Sequence, residues 1–183
     1  MKTKLFAISC MAATIAFGSD AQAAPYTPPS GTASATSAVA GAKIKQSIVV
    51  TKVRDLYFGE VIANSSADNS GTVTVAANDG GARSCTGGIS ELPGTATPTS
   101  AKFEVGGEGA VPYAITLPSA SATITRVGGS ETMTVNLALE KTSGTIPLGP
   151  SKDTFCVGGT MNAASHQQSG EYTGSFDVNV AYN

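Results

Sequence analysis

The chain of 183 residues is poor in charge, in aromatic side chains and in histidine. Charged residues make up 13% and aromatic residues 6%, there is one histidine and no tryptophan, and the formal net charge is −2. Such a chain lacks the clustered lysine and arginine with which proteins neutralise nucleic-acid phosphates. Scarce histidine, aspartate and glutamate disfavour most enzymes, because these side chains perform much of general acid–base catalysis. A shortage of strong helix formers favours an all-β protein.

The residues that catalytic or metal sites need are isolated in this sequence. His166 has no Gly-x-Ser-x-Gly motif to accompany it, so we interpret it as an exposed loop residue. The segment from Asp68 to Gly71 lacks the later ligands of a calcium loop and is interpreted as a turn. We therefore expect no catalytic residue, no metal site and no cofactor, and a protein that is not an enzyme.

Residues 1–23 have the organisation of a secretory signal peptide. Lys2 and Lys4 supply the positive charge, Leu5–Phe17 is an apolar core of 13 residues, and Ala21-Gln22-Ala23 is a small-residue cleavage site. An apolar core of this length is too short for a membrane-spanning helix, which needs about 20 residues. We expect a secreted protein with no transmembrane segment after the leader is removed.

The three cysteines are reduced to two when the leader, which contains Cys10, is removed. In an oxidising compartment, the remaining pair of Cys85 and Cys156 predicts one disulfide. Such a bridge would close a loop of about 70 residues and stabilise the fold by about 4 kcal/mol in the chain-entropy model. Two distant thiols with one histidine lack the spacing of a metal site.

The mature sequence is a succession of short runs in which apolar and polar residues alternate, which is the pattern of half-buried strands. In Thr132–Leu139, for example, Met133, Val135, Leu137 and Leu139 share one face. Glycine-rich turns separate the runs, and residues 43–183 are predicted to form an immunoglobulin-like β-sandwich of about seven to nine short strands. The runs are Ser47–Val53, Leu56–Ile62, Gly71–Ala76, Ala101–Val105, Val111–Leu117, Ser121–Val127, Glu131–Leu139 and Glu171–Tyr182.

The end of the chain carries the clearest alternation. One face of the segment from Gly170 to Asn183 holds Tyr172, Gly174, Phe176, Val178, Val180 and Tyr182. This pattern predicts a half-buried strand that runs to the terminus.

This ending resembles the subunits of bacterial chaperone–usher pili, which end in an alternating strand with a penultimate aromatic residue and a glycine fourteen positions from the end. Tyr182 and Gly170 occupy those two places. Residues 44–183 are also similar to a family of secreted bacterial proteins classed as a domain of unknown function, a relative of the spore-coat-U-like and archaic pilins. The residues that carry this likeness are Thr51, Leu56-Tyr57-Phe58-Gly59, Gly87-Gly88, Gly158-Gly159 and Gly170–Tyr182.

The resemblance implies a sandwich that lacks its last strand. A periplasmic chaperone lends a strand to such a subunit, an outer-membrane usher assembles it, and the N-terminal extension of a neighbouring subunit then replaces the chaperone. The edge that accepts the strand, and that the chaperone recognises, is expected to contain Gly170, Phe176, Val178, Val180 and Tyr182. The implied location is the periplasm in transit, and then the cell surface or an extracellular fibre.

Residues 24–42 form an extended, almost uncharged N-terminal segment from which a donor strand would come. The face that contains Ala33, Ala35, Val39 and Gly41 offers mainly small side chains, which bury little apolar area. Two interpretations therefore stay open. The segment donates to a neighbour, or it is a flexible tail ahead of the protein's own first strand.

These observations predict a non-enzymatic, pilin-like subunit of a surface fibre, or fimbrium, whose partners are neighbouring copies or other pilin-like subunits. The alternative is a self-contained secreted β-sandwich that binds carbohydrate or a protein partner at the cell surface. Because the chain has no tryptophan, a flat aromatic platform for sugars is not evident.

Overall fold

The computed structural model describes residues 37–63, 70–92 and 96–183. The chain divides into two units, residues 1–43 and 44–183. In the first unit, the described residues 37–43 are exposed and belong to no strand. The signal peptide and the donor positions Ala33 and Ala35 lie outside the described residues.

The second unit is all-β, and no helix occurs in the part of the chain that the structure describes. This confirms the predicted fold class, and the curled antiparallel sheets are consistent with a β-sandwich. The strands are β1 (Val49–Arg54), β2 (Val61–Ala63), β3 (Gly71–Val75), β4 (Arg83–Gly87), β5 (Ile89–Glu91), β6 (Ala101–Gly106), β7 (Pro112–Thr116), β8 (Ser121–Arg126), β9 (Thr132–Leu139), β10 (Ser143–Thr145), β11 (Asp153–Ala163), β12 (Tyr172–Thr173) and β13 (Asn179–Tyr182). The described strands exceed the predicted number, since four of them have only two or three residues.

The strands form three antiparallel sheets. The largest has eight strands in the order β1-β6-β11-β9-β8-β12, with β3 paired to β11 and β4 paired to β3. A second sheet has the order β10-β7-β13, and β2 pairs with β5 in a third. Among the described residues, β1 pairs only with β6 and β13 only with β7, so each is an edge strand of its sheet.

Strand β11 organises the large sheet. Along one edge its first half pairs with β6 and its second half with β3, while β9 covers the other edge. Gly158 lies where β6 gives way to β3. A Cβ atom there would collide with the carbonyl oxygen of Val75 and approach the Ala77 nitrogen to 2.6 Å. Only glycine fits this junction without a shift of the β3 backbone.

The core consists of two clusters. In what we call the first cluster, Phe103 on β6 stacks on Phe155 of β11, with ring centroids 5.3 Å apart. Half-buried side chains surround this cluster, and Leu56 and Leu137 also contact the second cluster. The buried members of the first cluster are Ala101, Val105, Tyr113, Ile115, Ile146, Phe155 and Val157. Those of the second are Val73, Ile89, Met133, Val135, Met161 and Ala163.

The predicted C-terminal strand is divided between two sheets. Tyr172–Thr173 pairs with β8 in the large sheet, whereas Asn179–Tyr182 pairs with β7 in the three-stranded sheet. Gly174 lies at the crossing, where a side chain does not fit. A Cβ atom there would collide with the Thr123 carbonyl oxygen and lie 3.0 Å from the Ile124 side chain. The segment therefore passes from the large sheet to the three-stranded sheet, and its apolar side chains contact the first cluster.

Candidate strand-addition site

The structure brings together four of the five residues predicted at the accepting edge. Phe176, Val178, Val180 and Tyr182 are half-buried and pack against the first cluster, while the residues between them are exposed. In the ladder of β13, Val180 and Tyr182 lie opposite Ile115 and Tyr113, both of which are buried in that cluster. The ring of Phe176 meets that of Phe103 edge to face at 6.4 Å. The alternation predicted from the sequence is therefore present, although only residues 179–182 form the ladder.

Gly170 lies apart from these four residues. It precedes β12, has a φ of 149°, and a Cβ atom there would come within 2.9 Å of Cδ of Arg126. Arg126 also donates from Nε to Oε2 of Glu131 at 2.8 Å, which joins the two ends of the β8–β9 turn. Gly170 consequently permits the close packing of Arg126 and does not line the edge of β13.

Strand β1 is a second open edge, which the sequence analysis did not assign to the site. Val49 and Val53 are exposed, and Val50 is 39% exposed although its ladder partner Val105 is fully buried. Exposed β-branched residues on an unpaired edge are a template for another strand. The run Ser47–Val53 was predicted as a strand, but its place at an edge depends on which strand it pairs with, and no local pattern encodes that choice.

The hydroxyl of Tyr182 connects the two edge strands at one end. It accepts a hydrogen bond from the Glu108 backbone N–H at 2.7 Å and donates one to the carbonyl of Gln46 at 2.9 Å. The Gln46 N–H in turn donates to Oε2 of Glu108 at 3.2 Å. These contacts tie the chain ahead of β1 to the last strand.

The donor positions described by the structure are Val39 and Gly41. Both are exposed, and neither belongs to a strand. Within the described ranges, neither of these two residues pairs with a strand.

The predicted disulfide is not formed, and Cys85 and Cys156 are free thiols. Cys85 lies opposite Val73, which lies opposite Met161, and Met161 is five residues from Cys156 along β11. At about 3.3 Å per residue the two cysteines are about 16 Å apart along the strands. A disulfide needs Cα atoms within about 7 Å, so the pairing predicted from cysteine counting is wrong.

Burial dominates the chemistry of both thiols. It raises the pKa of Cys85 and of Cys156 above the usual thiol value, because the thiolate is poorly solvated there. Neither cysteine is therefore a preformed nucleophile.

A carboxylate hub supports the strands next to β13. Asp153 accepts hydrogen bonds from the Tyr113 hydroxyl at 2.8 Å, from Lys141 Nζ at 2.8 and 2.9 Å, and from the Thr154 N–H at 2.8 Å. Burial opposes ionisation of Asp153, but these bonds outweigh it and hold its pKa below the usual range. Burial, and then the bond to Asp153, raise the pKa of Tyr113. The hub joins β7 to β11, so it fixes the strand on which β13 is built.

A shallow, uncharged depression of about 510 Å³ lies on the other half of the large sheet. Its lining includes Asn162 on β11, Thr72 on β3 and Thr86 on β4, which are neighbours in register. The hydroxyls of Thr72 and Thr86 are 2.7 Å apart and share a hydrogen bond. The depression therefore presents neutral hydrogen-bonding groups without a charged residue.

Residues of the kind that bind metals are dispersed. No group of three or more His, Cys, Asp or Glu side chains suited to a metal occurs among residues 37–63, 70–92 and 96–183. His166 is exposed in a left-handed conformation with a φ of 57°. In the same described ranges, no helix is long and apolar enough to cross a membrane.

Comparison with known proteins identifies the family of this chain. No curated protein and no solved structure matches this chain. One family model matches residues 48–182, a range that begins just before β1 and ends at Tyr182. It therefore covers the three sheets, both open edges and the hub. The chain belongs to the family described as Domain of unknown function (DUF4402).

Proposed function

We propose that this domain is a non-enzymatic structural subunit of a bacterial surface fibre that assembles by β-strand addition. The observation that carries the proposal is the pair of open edges, β1 and β13, which border a core with half-buried apolar side chains. An unpaired edge leaves backbone N–H and C=O groups available, and an added strand satisfies them. Alternate side chains of that strand would cover the half-buried residues.

The half-buried apolar side chains that border the first cluster, here called the core margin, favour strand addition over a purely polar contact. Phe176, Val178 and Val180 retain accessible surface although they pack on the buried cluster. Covering such surface stabilises a complex by roughly 25 cal/mol per Å² of apolar area. Val49 and Val50, the two exposed residues that follow Ile48, extend the core margin onto β1.

The proposal implies a route and a set of partners. The chain would be secreted by its leader, would meet a periplasmic chaperone that lends a strand, and would pass through an outer-membrane usher to the cell surface. Its lasting partner would be a neighbouring subunit. Residues 24–42 would supply the donor strand to that neighbour or would remain ahead of the protein's own first strand.

The test is assembly of the purified chain. We expect it to polymerise, as followed by size-exclusion chromatography and electron microscopy, and we expect a synthetic peptide that copies residues 24–42 to raise its melting temperature. Val50→Asp should suppress both effects, because it places a charge where the added strand would pack. Val127→Asp is the matched control, since Val127 is 56% exposed in the β8–β9 turn.

Circular dichroism would establish that both valine variants are folded. A wild-type chain that stays monomeric and is not stabilised by the peptide would contradict strand addition. Equal assembly of the wild-type protein and Val50→Asp would remove β1 from the site.

The uncharged depression favours a second candidate function, binding of a neutral carbohydrate at the cell surface. Hydroxyl and amide groups such as those of Thr72, Thr86 and Asn162 pair with sugar hydroxyls without burying a charge. Glycan-array binding should be lost in Asn162→Asp and retained in Asn179→Asp, an identical change at an exposed position of β13. Equal binding by the two variants, or none by the wild-type protein, would count against this candidate.

A further inference from the structure

Three hydrogen bonds form a closed circuit between the two open edges. The Gln46 N–H donates to the Glu108 carboxylate, the Glu108 N–H donates to the Tyr182 hydroxyl, and that hydroxyl donates to the Gln46 carbonyl. Both backbone groups of Gln46 are thus paired with side chains. These are the groups that a neighbouring strand would otherwise engage.

The packing around this circuit is close. Ile48 is half-buried and contacts the first cluster. Gly107 lies beneath it, since a Cβ atom there would lie 3.2 Å from Cα of Ile48 and 3.1 Å from the Ile146 side chain, and would collide with the Tyr182 hydroxyl. The segment ahead of β1 therefore rests on the turn that follows β6. Two residues before Gln46, Ile44 is 93% exposed, so this contact ends abruptly.

We propose that Gln46, Glu108 and Tyr182 form a latch that controls access to the core margin between β1 and β13. In the closed state the latch holds residues 46–48 over Gly107, with Ile48 on the first cluster. When it opens, this segment lifts and uncovers the Tyr182 end of the margin, where an incoming strand can enter. The inference rests on the proposed strand addition, and it makes Tyr182 a positioning residue for that process.

The span of these contacts distinguishes the latch from an ordinary buried tyrosine hydroxyl. Tyr182 and Gln46 are separated by 136 positions in the sequence and belong to segments that adjoin different sheets. The hydroxyl of Tyr172 also makes two hydrogen bonds, but its partners are Gln167 and Gln168 in the loop just before it. Loss of the Tyr172 hydroxyl should affect only that loop.

The experiment compares Tyr182→Phe with its matched control Tyr172→Phe in the full chain. Each change removes one hydroxyl and keeps the aromatic ring in place. We expect amide hydrogen exchange in peptides covering residues 44–50 to accelerate about tenfold in Tyr182→Phe and to remain unchanged in Tyr172→Phe. Binding of the apolar dye ANS, and the association rate of a peptide copying residues 24–42, should rise in Tyr182→Phe alone. Glu108→Gln, which retains the backbone donor, should give a smaller acceleration.

The outcomes separate the latch from the proposed function. Unchanged exchange in Tyr182→Phe would overturn the latch. Faster exchange without more ANS binding would also overturn it, because the segment would then move without uncovering the core. If exchange and ANS binding rise but the peptide binds to no variant, the latch is supported and strand addition by this peptide fails.

Discussion

The carboxylate hub at Asp153 allows a quantitative test of how the scaffold of the edge strand is held. We consider removal of the buried donor, Tyr113→Phe, and of the acceptor, Asp153→Ala. Tyr113 is fully buried, and its hydroxyl lies 2.8 Å from Oδ2 of Asp153. A hydrogen bond to a charged group contributes about 1.5–3 kcal/mol, and we take the lower end because the Asp153 side chain is 22% exposed.

Tyr113→Phe should therefore lower the free energy of unfolding by about 1.5 kcal/mol. Asp153→Ala should cost about 3 kcal/mol, because it also leaves the buried Tyr113 hydroxyl without its acceptor. The ion pair with Lys141 adds less than about 1 kcal/mol, since the lysine is itself 31% exposed. At about 2–4 °C per kcal/mol for a domain of this size, the melting temperature of Asp153→Ala should fall by about 9 °C.

The assay is urea denaturation of both single variants and of the double variant, followed by circular dichroism. If the two side chains act through their mutual bond, the double-mutant cycle should give a coupling energy of about 1.5 kcal/mol. Tyr57→Phe, at an exposed tyrosine, serves as the control for loss of a hydroxyl. A coupling energy below about 0.5 kcal/mol would refute the reasoning, because the hydroxyl and the carboxylate would then contribute independently.

Three further predictions concern pH, a glycine turn and the thiols. The pKa of Asp153 is lowered in the folded state, so its contribution to stability is present above its unfolded pKa of about 3.9 and is lost as pH falls through the folded value. In acid titrations the difference in unfolding free energy between wild type and Asp153→Asn should therefore shrink. A difference that stays constant with pH would contradict this. Gly81→Ala should destabilise the fold by about 2 kcal/mol in thermal unfolding, because its φ is 55° and the new Cβ would lie 2.7 Å from the Ser100 nitrogen. The control Gly80→Ala should have little effect, since the nearest atom to its new Cβ is 3.5 Å away. Equal effects of the two variants would contradict the steric argument. Cys85 and Cys156 should both react with a thiol reagent when the protein is unfolded without reductant. A non-reduced digest that contains the Cys85 and Cys156 peptides linked by a disulfide would contradict the distance between β4 and the first half of β11.

The long central strand shows why part of the fold was not predictable from the sequence. Residues 155–159 of β11 are buried without interruption and include Gly158-Gly159, so this part of the strand has no alternation of apolar and polar residues. Alternation did identify β9, whose residues from Met133 to Leu139 point alternately towards the core and the solvent. The sequence pattern thus recovers β9 and misses β11, and it also misses the partly exposed strands β4, β5 and β10, which carry no regular apolar alternation.

Four residues of the proposed accepting edge were predictable from the sequence, but Gly170 was misplaced and the geometry of the edge was not predictable. The alternation of Phe176, Val178, Val180 and Tyr182 is local, and so it could be recognised without knowledge of the sheets. The passage of this segment from one sheet to another at Gly174 depends on a close approach to Thr123, which lies about fifty residues earlier in the chain. No local pattern reports such a contact.

By itself, the sequence determined that this protein is all-β, which residues of its ending face the core, and that its surface is weakly charged. Those properties follow from composition and from the two-residue period of a strand, which neighbouring residues establish among themselves. Only the tertiary structure decided that β1 and β13 are edges, that Cys85 and Cys156 are too distant to pair, and that Tyr182 reaches Gln46. These facts depend on register and strand order, which are set by packing between segments far apart in the chain.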